Sequence, residues 1–233
     1  AAGRRRAERA GSGAAQAVAG ADRRPPVRLW AMDLTGALST SLPIVLAALV
    51  IAPADVGYFA QSRRLVGLSA VLLSATASVF SPSFARAKAA GDLEGLRQRL
   101  RASQVVGAGL YAPFLVAFLA FGRPLLHAFS GLASLGSAPA VLAILAVAHL
   151  SDAATGLPGQ FLVMVGSEKV ALRVVLAGRA LLVVCAVLLG SFRGPIGFAL
   201  GYAIAVSAAN AASLLACRSW LRRRGEGRLA VSP

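Results

Sequence analysis

Acidic residues are scarce in this chain of 233 residues: nine Asp and Glu stand against 24 Lys and Arg, and charged residues total only 14%. Soluble domains have about 25% charged residues, so this composition argues against one. Nine carboxylates leave few ligands for a metal centre, and the sequence lacks the HExxH, GxSxG, P-loop, GxGxxG and acidic DxD patterns. We therefore predict that the chain has no metal site and no cofactor and is not an enzyme.

Cysteine is scarce as well, since only Cys185 and Cys217 are present, without a CxxC pair or a His at ligand spacing. Both lie in apolar segments, and we interpret them as small buried hydrophobic residues. An apolar signal sequence is also missing, because residues 1–28 are polar and contain seven arginines. We expect residues 1–28 to form a basic cytoplasmic tail or linker. A first residue other than Met suggests a piece of a longer protein.

Apolar residues dominate what is present, at 57% of the chain with a mean hydropathy of +0.71. A helix needs about 20 apolar residues to cross a bilayer. Six runs approach or exceed that length: about Leu29–Ile51, Gly57–Phe84, Gln104–Gly122, Ala138–Val165, Val170–Gly190 and Ile196–Cys217. The sequence therefore predicts an all-α fold, a polytopic membrane bundle of about six helices over residues 29–217, with a basic cytoplasmic tail over 218–233.

Basic residues are distributed unevenly between the turns. If the amino terminus is cytoplasmic, nineteen basic residues fall on inside segments, whereas Arg123 and Arg193 alone fall outside. Loops rich in Lys and Arg stay on the cytoplasmic side of a membrane. The formal net charge of +15 is then a consequence of topology, with both termini cytoplasmic, and we expect membrane lipid but no nucleic acid as a partner.

The cytoplasmic connector over residues 85–103 has its own pattern. Asp92 is suited to cap a helix, and Leu93, Leu96 and Leu100 recur at helical spacing opposite three arginines. The pattern predicts an amphipathic helix lying on the inner leaflet. A plain solvated connector is the alternative.

Two adjacent arginines, Arg63 and Arg64, lie inside the second span. Arg63 shares a helical face with small and polar residues such as Gly67 and Ser74, and Leu65, Leu68 and Leu72 lie on the other side. Small residues face neighbouring helices in membrane proteins, so Arg63 is expected to point toward protein or water. Two interpretations remain: the side chains reach the headgroups, or they line a path for an anionic group such as a phosphate.

Other spans also carry polar residues. Asp33 lies in the first, Arg179 near the middle of the fifth, and Asn210 in the sixth. In the fourth, a common face is predicted for His149, Asp152, Gly156, Gly159 and Gln160, with a kink at Pro158. Each has a structural alternative: Asp33 marks an interface, His149 bonds to Asp152, or Asp152 pairs with Arg179. Together they predict a hydrated, net-cationic interior, with the polar residues as candidates for ion coupling.

Three stretches resemble one transporter family. They are "APADVGYFAQSRRLVGLSAVLLSATASVFSPSFARAKAAGDLEGLRQRL", "FGRPLLHAFSG" and "LPGQFLVMVGSEKVALRVVLAGRALLVV". The first resembles a short turn, a V-G-x-Y step, an Arg-Leu step and a helix ending in P-x-x-A. The others resemble a G-x-P-L-L-x-x-F-x-G segment and a kinked helix followed by a Gly-containing turn. The chain thus resembles the carboxy-terminal half of a Wzx-type polysaccharide flippase of the multidrug/oligosaccharidyl-lipid/polysaccharide exporter superfamily.

The resemblance implies two similar halves around a central cleft that opens alternately to each side of the bacterial cytoplasmic membrane. The implied substrate is a polyprenyl-diphosphate-linked oligosaccharide for cell-surface polysaccharides such as the O-antigen of lipopolysaccharide. Arg64 matches the arginine of the family's Arg-Leu step, and Arg63 is an addition. With Arg179, these arginines are the expected diphosphate-binding residues. A missing amino-terminal half or a partner subunit is implied as well.

Two other functions remain open. A cation-coupled multidrug exporter of the same superfamily would need intramembrane carboxylates, for which Asp33 and Asp152 are the candidates. A non-transporting membrane subunit or an integral-membrane transferase is the second alternative, although no catalytic pattern favours the transferase.

Overall fold

The computed structural model describes residues 41–130 and 135–229. Asp33, the basic tail over residues 1–28 and most of the first predicted span lie outside the described residues. The described residues form six helices and no strand: α1 (Ser41–Val50), α2 (Pro53–Ala89), α3 (Leu93–Ser130), α4 (Ala138–Thr155), α5 (Pro158–Met164) and α6 (Glu168–Leu229). Four stretches of helix are long and apolar enough to cross a membrane: Pro53–Ala89, Leu93–Phe129, Ala138–Met164 and Glu168–Glu226. The predicted all-α membrane bundle is confirmed.

Helix α6 is a hairpin of two antiparallel arms. Its 62 residues would extend about 93 Å as a straight helix, roughly three times the hydrocarbon thickness. The chain reverses at Gly194, which has φ 60° and ψ −142° and precedes Pro195. A Cβ added at Gly178 would lie 2.7 Å from the Ala209 Cβ, and one added at Gly201 would meet the Cys185 carbonyl oxygen. The two arms therefore pack closely and match the fifth and sixth predicted spans.

The fourth predicted span is broken rather than kinked. Gly156 adopts φ 75° and ψ −129°, which ends α4, and Pro158 begins the short helix α5. A left-handed φ is readily adopted by Gly because it has no Cβ. Gln160 therefore lies on a different helix from His149 and Asp152, whereas the common face was predicted for one kinked helix.

The predicted connector over residues 85–103 is mostly helical. It contains a tight turn of three residues, 90–92, between the end of α2 and the start of α3. Gly91 has φ 65°, and the Asp92 carboxylate accepts a hydrogen bond of 2.7 Å from the Gly95 amide, which confirms the predicted cap. Helix α3 then runs from Leu93 with its first non-helical residue at Phe121. Leu96 and Leu100 are buried against other helices. The expected separate helix on the leaflet is therefore wrong, because protein covers its apolar face.

Two groups of buried residues hold the bundle together. The first core cluster, around the α1–α2 turn and Gly194, includes Phe59, Val66, Leu142, Leu145 and Phe198. The second core cluster, around the α2–α3 turn and α5, includes Phe84, Leu96, Leu100, Phe161 and Leu221. Edge-to-face ring contacts lie in both, at 5.0 Å between Phe59 and Phe198 and 5.4 Å between Phe84 and Phe161. Such pairs stabilise packing beyond the area that they bury.

Candidate functional site

Polar side chains occupy the depth between the two core clusters on every long helix. On α2, for example, Ser69 and Thr76 fall between Val66 of the first core cluster and Phe84 of the second. Polar residues lie between the two core clusters on the other helices as well. We call the whole set the polar layer: Ser69, Thr76, Ser103, Tyr111, His149, Ser151, Asp152, Arg179, Ser207 and Asn210. Because the helices are antiparallel neighbours, residues at this depth meet in the middle of the bundle.

Tyr111 of α3 is the most buried large polar residue in the layer, with 2% of its surface exposed. Its hydroxyl donates a hydrogen bond of 2.9 Å to the Ala146 carbonyl of α4, and the Ser69 hydroxyl of α2 donates to the Val66 carbonyl on its own helix. In an apolar medium an unpaired hydroxyl is costly, so the bond of Tyr111 favours the observed packing of α3 on α4.

A second polar link joins α4 to the second arm of α6. The Ser207 hydroxyl donates a hydrogen bond of 3.0 Å to Ser151 Oγ, and Ser151 in turn donates one of 2.6 Å to the Ala148 carbonyl. Small side chains let the two backbones approach closely. Polar groups of the layer thus join α4 to α6 as well as α3 to α4.

Arg63 of α2 and Arg179 of α6 interact electrostatically near the border between the layer and the first core cluster. The Arg63 guanidinium lies over the Tyr202 ring, with its Cζ 5.7 Å from the ring centroid. Arg63 and Arg179 interact electrostatically with each other and with Tyr202. An arginine over an aromatic ring is favourably placed, especially where water is scarce. Arg63 is therefore turned toward the second arm of α6 instead of reaching along α2 to a headgroup.

Asp152 places a carboxylate beside these cations. It is exposed and interacts electrostatically with His149, Arg179 and Tyr202. Its negative charge favours the charged form of Arg179 and so offsets part of the cost of burying that guanidinium. His149 does not bond to Asp152 through Nδ1, which lies 3.1 Å from the Leu145 carbonyl oxygen.

The structure therefore brings together four of the predicted site residues, Arg63, Arg179, His149 and Asp152. Asn210 lies in the same layer, and its buried Nδ2 has no hydrogen-bond partner within the described chain. The remaining predictions have other outcomes: Arg64 is exposed on α2, Gln160 is exposed on α5, and Asp33 lies outside the described residues.

Sequence reasoning missed Tyr202, Tyr111, Ser69 and Ser207. The hydroxyl of a tyrosine or serine within an apolar run is a usable signal, because such a group needs a partner in a membrane. Which serines are turned inward depends on neighbours that the sequence does not identify.

Metal-ligating residues and cysteines are the remaining groups in the chain that could carry chemistry. No group of three His, Cys, Asp or Glu residues that could hold a metal ion occurs in residues 41–130 and 135–229. Cys185 and Cys217 are free, and the Cys217 thiol contacts the Pro158 carbonyl oxygen at 3.3 Å. Both cysteines are thus part of helix packing.

Long apolar helices packed around interior charges define the class: the chain is a multi-pass α-helical membrane protein. Models of known protein families, curated proteins and solved structures yield no match for it.

Proposed function

We propose that the chain is one half of a flippase that moves a polyprenyl-diphosphate-linked oligosaccharide across the bacterial cytoplasmic membrane. The observation that carries this proposal is the Arg63 guanidinium over the Tyr202 ring, with Arg179 near enough to interact electrostatically with both residues. Two guanidinium groups in an apolar protein are costly to maintain, and intramembrane charges of this kind commonly mark a substrate path.

Arginine suits the diphosphate because its planar fork donates two parallel hydrogen bonds and keeps its charge. In this proposal, Tyr202 orients the Arg63 guanidinium, and Asp152 reduces the repulsion between the two cations before the substrate arrives. The sugar passes through the cleft while the polyprenyl tail remains in lipid. No covalent step is required, and alternating access is driven by an ion gradient or the membrane potential.

Arg64 has a different part in the same proposal. Its exposed side chain is separated from Arg63 by about 100° around α2. It would contact the headgroup on the open surface of the bundle, where a missing amino-terminal half or partner subunit would close the cleft. The polar residues His149, Asp152, Asn210 and, on α5, Gln160 would then line the passage.

A cation-coupled exporter is the second candidate, and Asp152 is the observation that favours it. This carboxylate is exposed and stands beside His149, as a proton- or cation-binding group would. In that function Asp152, and not the arginines, would be indispensable.

The test is export of surface polysaccharide by the producing bacterium carrying Arg63→Ala or Arg179→Ala. Each charge-assisted hydrogen bond contributes about 1.5–3 kcal/mol, so we expect export to fall by about 10-fold or more. Arg63→Lys should restore only part of it, because the ammonium lacks the fork. Arg193→Ala, at the exposed turn between the arms of α6, is the matched control and should export normally.

Membrane insertion of each variant is measured in parallel. Normal export by both inserted arginine variants would contradict the flippase proposal. If Asp152→Asn instead abolishes resistance to cationic drugs while polysaccharide is unaffected, the cation-coupled exporter is the better conclusion.

A further inference from the structure

The end of the bundle formed by the α2–α3 turn and the end of α6 contains a groove that the transport proposal does not use. It has a volume of about 460 Å³ and lies between the first turns of α3 and the last turns of α6. Four arginines line it, Arg97, Arg101, Arg218 and Arg222. We call it the arginine groove.

The arginine groove retains positive charge after its internal ion pairs are counted. Arg97 pairs with Glu94 at 3.4 Å and Arg222 pairs with Glu226 at 3.5 Å. Both pairs are solvent-exposed and therefore weak. Arg101 and Arg218 have no carboxylate within 4.0 Å among the residues that the structure describes. Two guanidinium groups are thus available to an anion.

The groove also has an apolar component. Leu100 and Leu221, both nearly fully buried, contribute to its lining together with Leu214. A site for a nucleic acid or a free anion has no need of leucines, whereas a lipid presents a phosphate next to hydrocarbon. Charge and apolar surface side by side match the boundary between headgroup and acyl chain.

The groove also lies at the depth at which lipid headgroups are expected. Gln104 lines it and is also the residue at which the apolar run of α3 begins. Next to Leu221, Trp220 packs edge-to-face on Phe161 at 5.8 Å and lies under Arg224 at 5.5 Å. Tryptophan is enriched at membrane interfaces, so this end of the bundle lies at headgroup level.

We propose that the arginine groove binds the phosphate of an anionic phospholipid headgroup, through Arg101 and Arg218, with the half-buried Leu214 against the first part of the acyl chains. The site is distinct from the arginines in the middle of the bundle and does not depend on the transported substrate. Its occupant is a membrane phospholipid such as phosphatidylglycerol, because that lipid has the required charge at the required depth.

Trp220 provides a local probe, since the chain contains only one other tryptophan, Trp30. The purified full chain with Trp30→Phe is reconstituted in phosphatidylcholine vesicles. Quenching of Trp220 fluorescence is then compared between brominated phosphatidylglycerol and brominated phosphatidylcholine. We expect the anionic lipid to quench preferentially at equal mole fraction.

The double variant Arg101→Gln/Arg218→Gln should reduce this preference about 25-fold, because each of the two basic side chains near a membrane surface contributes about 5-fold. Arg123→Gln/Arg193→Gln is the matched control: it removes the same charge from exposed positions at the other end and should keep the preference. If the double variant does not insert, the single variants carry the test, each with an expected loss of about 5-fold.

Two outcomes would overturn the proposal. One is equal loss of preference in the test and control variants, which would indicate net charge and no specific site. The other is displacement of the brominated lipid by soluble inorganic phosphate at constant ionic strength, which would indicate a site for a free anion. Loss of polysaccharide export with unchanged lipid preference would bear on the flippase proposal alone.

Discussion

The polar layer and the arginine groove both contain arginines, but they hold them in opposite environments. At the border of the layer, Arg63 is half-buried over Tyr202 and interacts electrostatically with Arg179. In the groove, the Arg222–Glu226 pair has side chains 81% and 66% exposed. The same pair of charges interacts several times more strongly in an apolar interior than in water. The strength of an arginine's electrostatic interactions therefore depends on where it lies in the bundle and not on the residue type.

The helices also pack more closely at the polar layer than at the arginine groove. Gly178 and Gly201 stand next to Arg179 and Tyr202, and each marks a close approach between the arms of α6. In the groove, by contrast, α3 and the end of α6 diverge enough to leave about 460 Å³ open. Substitutions in the layer should therefore lower the free energy of unfolding more than substitutions at the groove.

The largest effect is expected from Gly201→Ala. The new methyl group would meet the Cys185 carbonyl oxygen, and backbone atoms cannot move aside as a side chain can. We expect the free energy of unfolding to fall by about 2 kcal/mol or more, because the arms must separate. Titration with sodium dodecyl sulfate in mixed micelles measures it.

Gly109→Ala is the matched control for that substitution. Its Cβ would meet nothing within 4 Å, so the free energy of unfolding should stay the same or rise slightly, since Ala favours a helix more than Gly. Equal destabilisation by both substitutions would show that the close approach of the two arms at Gly201 does not cause the loss of stability.

An intermediate effect is expected from Tyr111→Phe in the polar layer. The change removes the hydrogen bond to the Ala146 carbonyl without altering the ring. A loss of about 0.5–2 kcal/mol in the free energy of unfolding is expected, in line with other membrane hydrogen bonds. Tyr58→Phe should have little effect, because no hydrogen bond of the Tyr58 hydroxyl occurs within the described chain. The reverse ranking would mean that the layer does not depend on its internal bonds.

The smallest effect is expected from Arg97→Gln at the groove. Its pair with Glu94 is exposed and three residues apart on one helix, so the free energy of unfolding should fall by less than about 0.5 kcal/mol. Repeating the titration at high salt should remove the difference, because salt screens exposed charges. A large loss in the free energy of unfolding that persists in high salt would show that Arg97 interacts as strongly as the half-buried Arg63. The contrast between the two regions would then be wrong.

Some interior residues were predictable and others were not, and α2 illustrates the reason. A helical wheel separates Arg63 from Leu65 and Leu68 but does not say which direction faces protein. In the structure Leu65 is 3% exposed and Leu68 is 52% exposed, so the two leucines assigned to one side have different surroundings. The face that packs runs through Ser62, Leu65 and Ser69, between the two faces that the sequence distinguished.

The fourth span teaches a related lesson. Pro158 correctly indicated where the helix changes direction, because proline cannot donate a backbone hydrogen bond. The size of the change depended on Gly156, whose left-handed φ separates α4 from α5. A face extrapolated through that point included Gln160, which lies on α5 and not on the helix of Asp152.

The sequence alone determined the class of this protein, most of its helices and the concentration of basic residues at one end of the bundle. Those properties follow from hydrophobicity and charge, which add along the chain and need no knowledge of neighbours. Tertiary structure decided which arginine is turned to Tyr202, which hydroxyls are paired and where the arginine groove opens. These depend on how helices pack, because in a bundle made mostly of apolar surface the close contacts between small residues select one arrangement among several of similar hydrophobicity.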